Sequence, residues 1–193
     1  MTDQTTTHWV DEFLVPLDAC ERGIEKARKF SAPQEAWDAW DNGSELIWTL
    51  ARYGEHDQRK LVLCACEIAE SVLHVFEKSY PEDGRPRKAI ESARAWAEIP
   101  TGENRRNADA AVDAACAARS ACADCAADDA ANAAYYAARS AFHAASHAAD
   151  TASAAAHAAC AAASAADGTE RQAQADIVRK YFPVSPFVKG EPK

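Results

Sequence analysis

The chain has 193 residues, a formal net charge of −9 and a hydrophobic fraction of 48%, much of which is alanine. A chain of this length suits one domain, or one domain with an extension, and can bury a hydrophobic core. The acidic balance argues against direct binding to DNA or RNA and against an anionic membrane surface.

The first residues, MTDQTTTHWVDEF, have neither the basic nor the apolar region of a signal peptide. No stretch reaches the roughly 18 strongly apolar residues of a membrane span. The seven cysteines are an odd number and lie within helical patterns, which is typical of a reducing compartment. We therefore expect a cytoplasmic protein.

The N-terminal part reads as a series of short amphipathic helices rich in tryptophan. Apolar residues at spacings of three to four predict one helix across HWVDEFLVPLDACERGIEKARKF, in which Pro16 either kinks the helix or starts its main segment. Ser31 is predicted to cap a short helix that ends at Asn42 and Gly43. Ser44 is predicted to cap the next helix, ELIWTLARY.

Two longer helices are predicted before residue 100. Asp57 is expected to cap QRKLVLCACEIAESVLHVFEKSY, whose apolar middle predicts the central buried helix. Pro86 suits the start of the following helix, and residues 100–102 form the clearest internal boundary. We predict an N-terminal helical core segment over residues 1–100, a helical segment over 101–183 packed on it in one compact domain, and an extended tail over 184–193.

Residues 107–167 are more than half alanine and contain neither glycine nor proline, which predicts helix throughout. A single straight helix over about 60 residues would be on the order of 90 Å long, whereas a compact domain of this size is about 35 to 40 Å across. We therefore expect two or three antiparallel helices, with bends at residues 128–132 and 150–153. With no strand pattern, the prediction is an all-α multi-helix bundle with a long alanine-rich helical hairpin or array.

The larger residues of the alanine-rich region recur every three to four positions, which gives each helix distinct faces. Among these residues, His143, His147 and Asp150 share one face at the spacing of half a transition-metal site. The alternative is that they are polar residues of a solvated or interhelical face. Cys122 and Cys125, with Cys116 upstream, resemble a thiol pair, but their position among alanines favours small-residue packing.

Two other groups are candidates for binding a partner. Arg85, Arg87 and Lys88 lie at a helix start, where they could grip an anion together with free backbone N–H groups or pair with acids of a neighbouring helix. Tyr135 and Tyr136 are large groups on a smooth alanine surface. They either lock that surface to the core or form hot spots for a partner.

Several segments occur in an order that resembles one family. These segments are EAWDAWDNGSELIWTLARYG, RKLVLCACEIAESVL, GRPRKAIESARAWAE, the alanine-rich array and RQAQADIVRKYFP. Across roughly residues 18 to 187 the succession is similar to immunity proteins of bacterial polymorphic toxin systems, specifically the immunity-protein-five-like group.

The resemblance implies a non-enzymatic all-α protein that neutralises a cognate toxin or effector by binding it. We expect that partner to be basic, no cofactor to be needed, and Arg85, Arg87, Lys88, Tyr135 and Tyr136 to be candidate contacts. The sequence also allows a homodimer, since small-residue helix faces pack as readily between chains as within one. The alternative is a metal- or thiol-dependent sensor or enzyme built on His143, His147, Asp150 and the cysteines.

Overall fold

The computed structural model describes residues 8–53, 57–123, 125–144, 148–165 and 168–188. Within these ranges the chain forms ten helices and no strand, which confirms the predicted all-α fold. The helices are α1 (Trp9–Phe13), α2 (Glu21–Ala27), α3 (Pro33–Ala39), α4 (Gly43–Tyr53), α5 (Gln58–Ser79), α6 (Arg85–Glu98), α7 (Gly102–Ser120), α8 (Cys125–His143), α9 (Ala148–Ala165) and α10 (Gly168–Tyr181).

The single helix predicted at the N-terminus is two helices. α1 ends at Phe13, and Pro16 lies in the turn that follows rather than inside or at the start of a helix. Asp18 has a φ of 56°, the left-handed conformation that ends a helical path. The chain therefore turns before α2 begins at Glu21.

Two of the predicted helix caps are displaced along the chain. Ala32, not Ser31, is the N-cap of α3, and the Ser31 amide and hydroxyl donate to the Glu35 carboxylate instead. Gly43 begins α4 rather than ending α3. The Asn42 side chain accepts hydrogen bonds from the Ser44 amide at 3.0 Å and hydroxyl at 2.7 Å, so Asn42 caps α4.

α5 is the central helix of the N-terminal half, as predicted. The Asp57 carboxylate accepts hydrogen bonds from the Arg59 and Lys60 amides and caps it. The helix packs against α6, α8, α9 and α10. Its inward face is fully or almost fully buried and includes Leu61, Val62, Cys64, Cys66, Ile68, Val72, Leu73 and Phe76.

The alanine-rich region folds back on itself as three helices, α7, α8 and α9, as expected, but both predicted bends are wrong. The breaks fall between Ser120 and Cys125 and between His143 and Ala148. Asp128 and Asp150 instead lie in the first turns of α8 and α9. A carboxylate there interacts favourably with the positive end of the helix dipole, so these acids follow the break rather than form it.

α8 lies between α5, α6, α7 and α9. Small side chains allow this, because alanine lets helix backbones approach closely and gains many short-range contacts. Its buried residues are Ala127, Ala130, Ala131, Ala133, Ala134, Ala137, Ala138, Ser140 and Ala141.

One cluster of buried residues draws on both halves of the chain, from Val10 in α1 to Val178 in α10. Phe187, in the predicted extended tail, also belongs to it and lies 5.4 Å from the Phe13 ring and 4.7 Å from the Tyr53 ring. The described part of the tail therefore folds back onto α1 and α4. None of the helices in the described ranges is long and apolar enough to span a membrane.

Candidate functional site

Arginines and aromatic residues line the edge that α7 and α8 share. The Arg105 guanidinium lies 5.1 Å from the Phe142 ring centroid, and Arg119 Nη1 donates to Asn132 Oδ1 at 3.1 Å. The start of α7 therefore faces the end of α8, so the two helices are antiparallel. We name this surface the α7–α8 seam, and it comprises Arg105, Arg119, Asn132, Tyr135, Arg139, Phe142 and His143.

Tyr135 is the centre of the seam. Arg139 Nη1 donates to its hydroxyl at 2.8 Å. The guanidinium carbons of Arg119 and Arg139 lie 5.7 Å and 5.9 Å from its ring centroid, within the range of cation–π attraction. The ring also packs against a small buried cluster that contains Ala115 and Ala138. Tyr135 is thus half-buried and held from several sides.

The seam continues to the end of α8. Arg139 Nε donates to His143 Nε2 at 3.2 Å, so the same guanidinium joins Tyr135 to His143. Arg139 is exposed, and the other seam side chains are half-buried. Planar guanidinium groups and aromatic rings that remain accessible can bind carboxylates, backbone carbonyls and apolar side chains of another protein.

The two adjacent tyrosines have different surroundings. Tyr136 stacks on His157 of α9, with ring centroids 5.0 Å apart and an interplanar angle of 22°. It packs against the main core, whereas Tyr135 packs against the small cluster beneath the seam. Only Tyr135 therefore belongs to the seam.

Arg85 and Arg87 form ion pairs within the chain. Arg85 Nε and Nη2 donate to the two Asp83 carboxylate oxygens at 2.9 Å and 2.6 Å. These bonds lower the pKa of Asp83 and raise that of Arg85. Arg87 donates to the Glu77 carboxylate of α5 at 2.7 Å and 2.8 Å, which is the neighbouring-helix pairing that the sequence left open.

Lys88 is exposed and, with Arg85, lines a shallow pocket beside the turn before α6. The hydrogen bonds of Arg85 and Arg87 go to Asp83 and Glu77 and not to seam residues. The structure therefore keeps these two guanidinium groups occupied. Their role in binding a partner stays a prediction.

The predicted metal ligands gain no support from the described residues. His147 lies outside those residues, and Asp150 is exposed in the first turn of α9. His143 Nε2 accepts a hydrogen bond from a cationic arginine. Across the ranges that the structure describes, no group of three or more His, Cys, Asp or Glu side chains is arranged to hold a metal.

The structure separates Cys122 from Cys125 at a helix break and buries Cys64 and Cys66. The prediction that Cys122 and Cys125 lie within one helix is wrong, because α7 ends at Ser120 and α8 begins at Cys125. Cys122 Sγ donates to the Ala118 carbonyl at 3.4 Å. Burial raises the pKa of Cys64 and raises that of Cys66 to about 12.

Sequence periodicity identified most of the seam residues but not their association. Arg119, Tyr135, Arg139 and Phe142 are among the larger residues that recur every three to four positions. Their grouping depends on the antiparallel pairing of α7 with α8, which requires the true position of the break between them. Because the predicted bend lay several residues after the true break, the residues of α7 and α8 that face each other could not be assigned.

Comparison with known proteins identifies a family to which this sequence is similar. A family model described as "Imm-5 like putative immunity protein" matches residues 51–181, from the last turn of α4 to the end of α10. This range contains the whole seam and excludes α1, α2 and α3, so it is narrower than the resemblance first suggested. No curated protein and no solved structure matches the chain.

Proposed function

The chain belongs to the family of Imm-5 like putative immunity proteins, and on that premise we propose that it neutralises a cognate protein toxin by binding it, without catalysis. The observation that supports a binding role is the α7–α8 seam. It lies within the matched range and joins three arginines to two aromatic rings on one accessible edge. Arginine and tyrosine are enriched among residues that dominate protein–protein binding energy.

The seam is organised before any partner arrives. Tyr135 is fixed by the Arg139 hydrogen bond, by two guanidinium groups near its ring and by the alanines beneath it. Side chains that are already ordered lose less conformational entropy on binding, so more of the contact energy becomes affinity. Side chains that are ordered before binding therefore favour the high affinity expected of an inhibitor.

The net charge of the chain supports a partner that is basic overall. A net charge of −9 attracts a basic toxin over long distances and increases its association rate. The guanidinium groups of the seam act at short range, where they bind carboxylates or carbonyls of the toxin in paired hydrogen bonds. We therefore propose that the net negative charge of the chain attracts the toxin over long distances and that the seam binds it at short range.

Growth rescue tests this proposal. A candidate toxin domain, chosen from among the genes that neighbour the gene of this chain, is produced in a bacterial host with and without the chain, and colony counts are compared. We expect the chain to restore growth and the double variant Arg119→Ala/Arg139→Ala to lose that protection. The matched control is Arg171→Ala, an exposed arginine on α10.

Thermal unfolding of each purified variant shows whether it is folded. Protection that survives in a folded double variant would contradict binding through the seam. Failure of the unchanged protein to protect against that toxin would contradict the proposed function itself.

A further inference from the structure

A cavity of about 330 Å³ lies between the N-terminal helices, the C-terminal tail and α9. Its volume is at the lower end of sites that hold drug-sized ligands. The aromatic residues that line it are Trp9, Trp37, Trp40, Trp48 and Phe187.

Hydrogen bonds hold three of these tryptophans in place. Trp9 Nε1 donates to the Phe30 carbonyl at 3.0 Å, and Trp37 Nε1 donates to the Phe182 carbonyl at 2.9 Å. Trp40 Nε1 donates to Glu45 Oε2 at 2.6 Å. Because these indole N–H groups already have acceptors within the chain, the walls offer a ligand mainly apolar ring surface.

The charges around the cavity disfavour an anionic ligand. Asp18 and Glu45 are the charged residues of the described lining, and two carboxylates repel an anion. Glu45 already accepts from Trp40 Nε1 and lies 3.5 Å from the Arg22 guanidinium, so it is not free to neutralise a cation.

We propose that this tryptophan-lined cavity is a binding site for a compact, neutral, aromatic small molecule. Its aromatic walls lie outside the residues matched by the family model, and of the lining only Cys160 falls within them. The site is therefore a feature of α1 to α4 and the tail, distinct from the α7–α8 seam, and does not depend on the proposed toxin binding.

Two fluorescent probes with the same ring skeleton test the ligand class. N-phenyl-1-naphthylamine is neutral, and 1-anilinonaphthalene-8-sulfonate adds one negative charge. Titration of the full-length protein should show saturable binding of the neutral probe at one site. The sulfonate should bind at least about tenfold more weakly, because the Asp18 and Glu45 carboxylates repel its negative charge.

A variant that fills the cavity locates the site. Cys20 is exposed, lines the cavity and makes no side-chain cap hydrogen bond at the start of α2, so Cys20→Phe can occupy the space without removing a helix cap. We expect it to weaken the neutral probe at least about tenfold, the scale of losing a well-packed aromatic contact. Cys125→Phe, at an exposed cysteine away from the cavity, should leave binding unchanged.

The proposal is overturned if the neutral probe does not bind, if the sulfonate binds as tightly, or if Cys20→Phe binds like the unchanged protein. Cys20→Phe is also tested in the growth-rescue experiment. Loss of protection there, without probe binding to the unchanged protein, would place the cavity in the toxin interface. That result would reject a small-molecule site while leaving the proposed function intact.

Discussion

Gly43, the first residue of α4, lies directly against the backbone of Gln174 in α10: a Cβ built on Gly43 would be 2.7 Å from the Gln174 carbonyl carbon. Real Cβ atoms essentially never come this close to another heavy atom, so the glycine is required for the two helices to meet at this distance. The contact joins α4, most of which lies outside the family match, to the last helix inside it.

Gly43→Ala should therefore destabilise the protein by about 1–3 kcal/mol, the usual range for an extra methyl group in a closely packed interior. Gly102→Ala is the matched control, since Gly102 also begins a helix and its Cβ would meet only the Arg106 side chain at 3.7 Å. Urea unfolding of both variants measures the difference. Equal stability would show that α4 and α10 can separate without loss.

Glu67 joins α5 to α10 and should contribute to acid sensitivity. Burial raises its pKa, but hydrogen bonds from Lys180 Nζ and the Tyr181 hydroxyl outweigh burial, so the pKa is lowered overall. A lowered pKa stabilises the fold above the unfolded value of about 4.3. That contribution disappears as pH falls through the folded pKa.

Glu67→Gln should cost about 1–2 kcal/mol at pH 7, because it removes charge-assisted hydrogen bonds. The difference from the unchanged protein should shrink toward pH 3. Denaturant unfolding across this pH range measures it, with Glu91→Gln, an exposed carboxylate on α6, as the control. A difference that stays constant with pH would rule out the ionised carboxylate as its source.

Arg179 attaches α10 to the end of α3. Its Nη1 donates to the Trp37 and Trp40 carbonyls at 3.0 Å and 2.8 Å, and Nη2 donates to Asp176 at 2.7 Å. Arg179→Ala should reduce the free energy of unfolding by about 2–3 kcal/mol, since two carbonyls near a helix end lose a charged donor. Arg179→Lys should recover less than half, because an ammonium group lacks the planar fork.

Tryptophan fluorescence during urea unfolding measures these variants. Arg171→Ala, on the same helix but exposed, should change stability by less than about 0.5 kcal/mol. Full recovery by lysine would show that the positive charge, and not the geometry of the guanidinium, holds α10 to α3.

Cys64 and Cys66 should not react in the folded protein. Both thiols are fully buried, and burial raises their pKa values, so thiolate is scarce at neutral pH. Thiol titration with Ellman's reagent at pH 8 should give the same rapid count for the unchanged protein and for Cys64→Ala/Cys66→Ala. After unfolding in guanidinium, the variant should give two fewer than seven. A lower rapid count in the folded variant would show that these thiols are accessible.

The sequence predicted features that depend on residues close together in the chain, and it missed features that depend on how the helices pack against each other. Asp57 and the apolar surface of α5 identified that helix and its buried position, because capping and hydrophobic pattern agree there. Asn42 and Ser44 are both good caps, and only the hydrogen bonds from the Ser44 amide and hydroxyl to Asn42 show that Asn42 is the one used.

The alanine-rich region shows the same limit more strongly. Its breaks fall at residues 121–124 and 144–147, which contain neither glycine nor proline, and the acids that suggested bends instead follow the breaks. The order of Tyr135 and Arg139 along one helix was readable from spacing. Their approach to Arg119 was not, because it depends on which turns of α7 and α8 face each other.

Calorimetric titration of the purified chain with the toxin domain that it protects against in growth rescue measures binding itself, apart from cell survival. We predict a saturable complex of fixed stoichiometry. We also predict at least about a hundredfold weaker binding for folded Arg119→Ala/Arg139→Ala, the scale expected when two hot-spot residues are truncated. Affinity that is unchanged in that variant, or an absence of binding by the unchanged protein, would contradict neutralisation by binding through the seam.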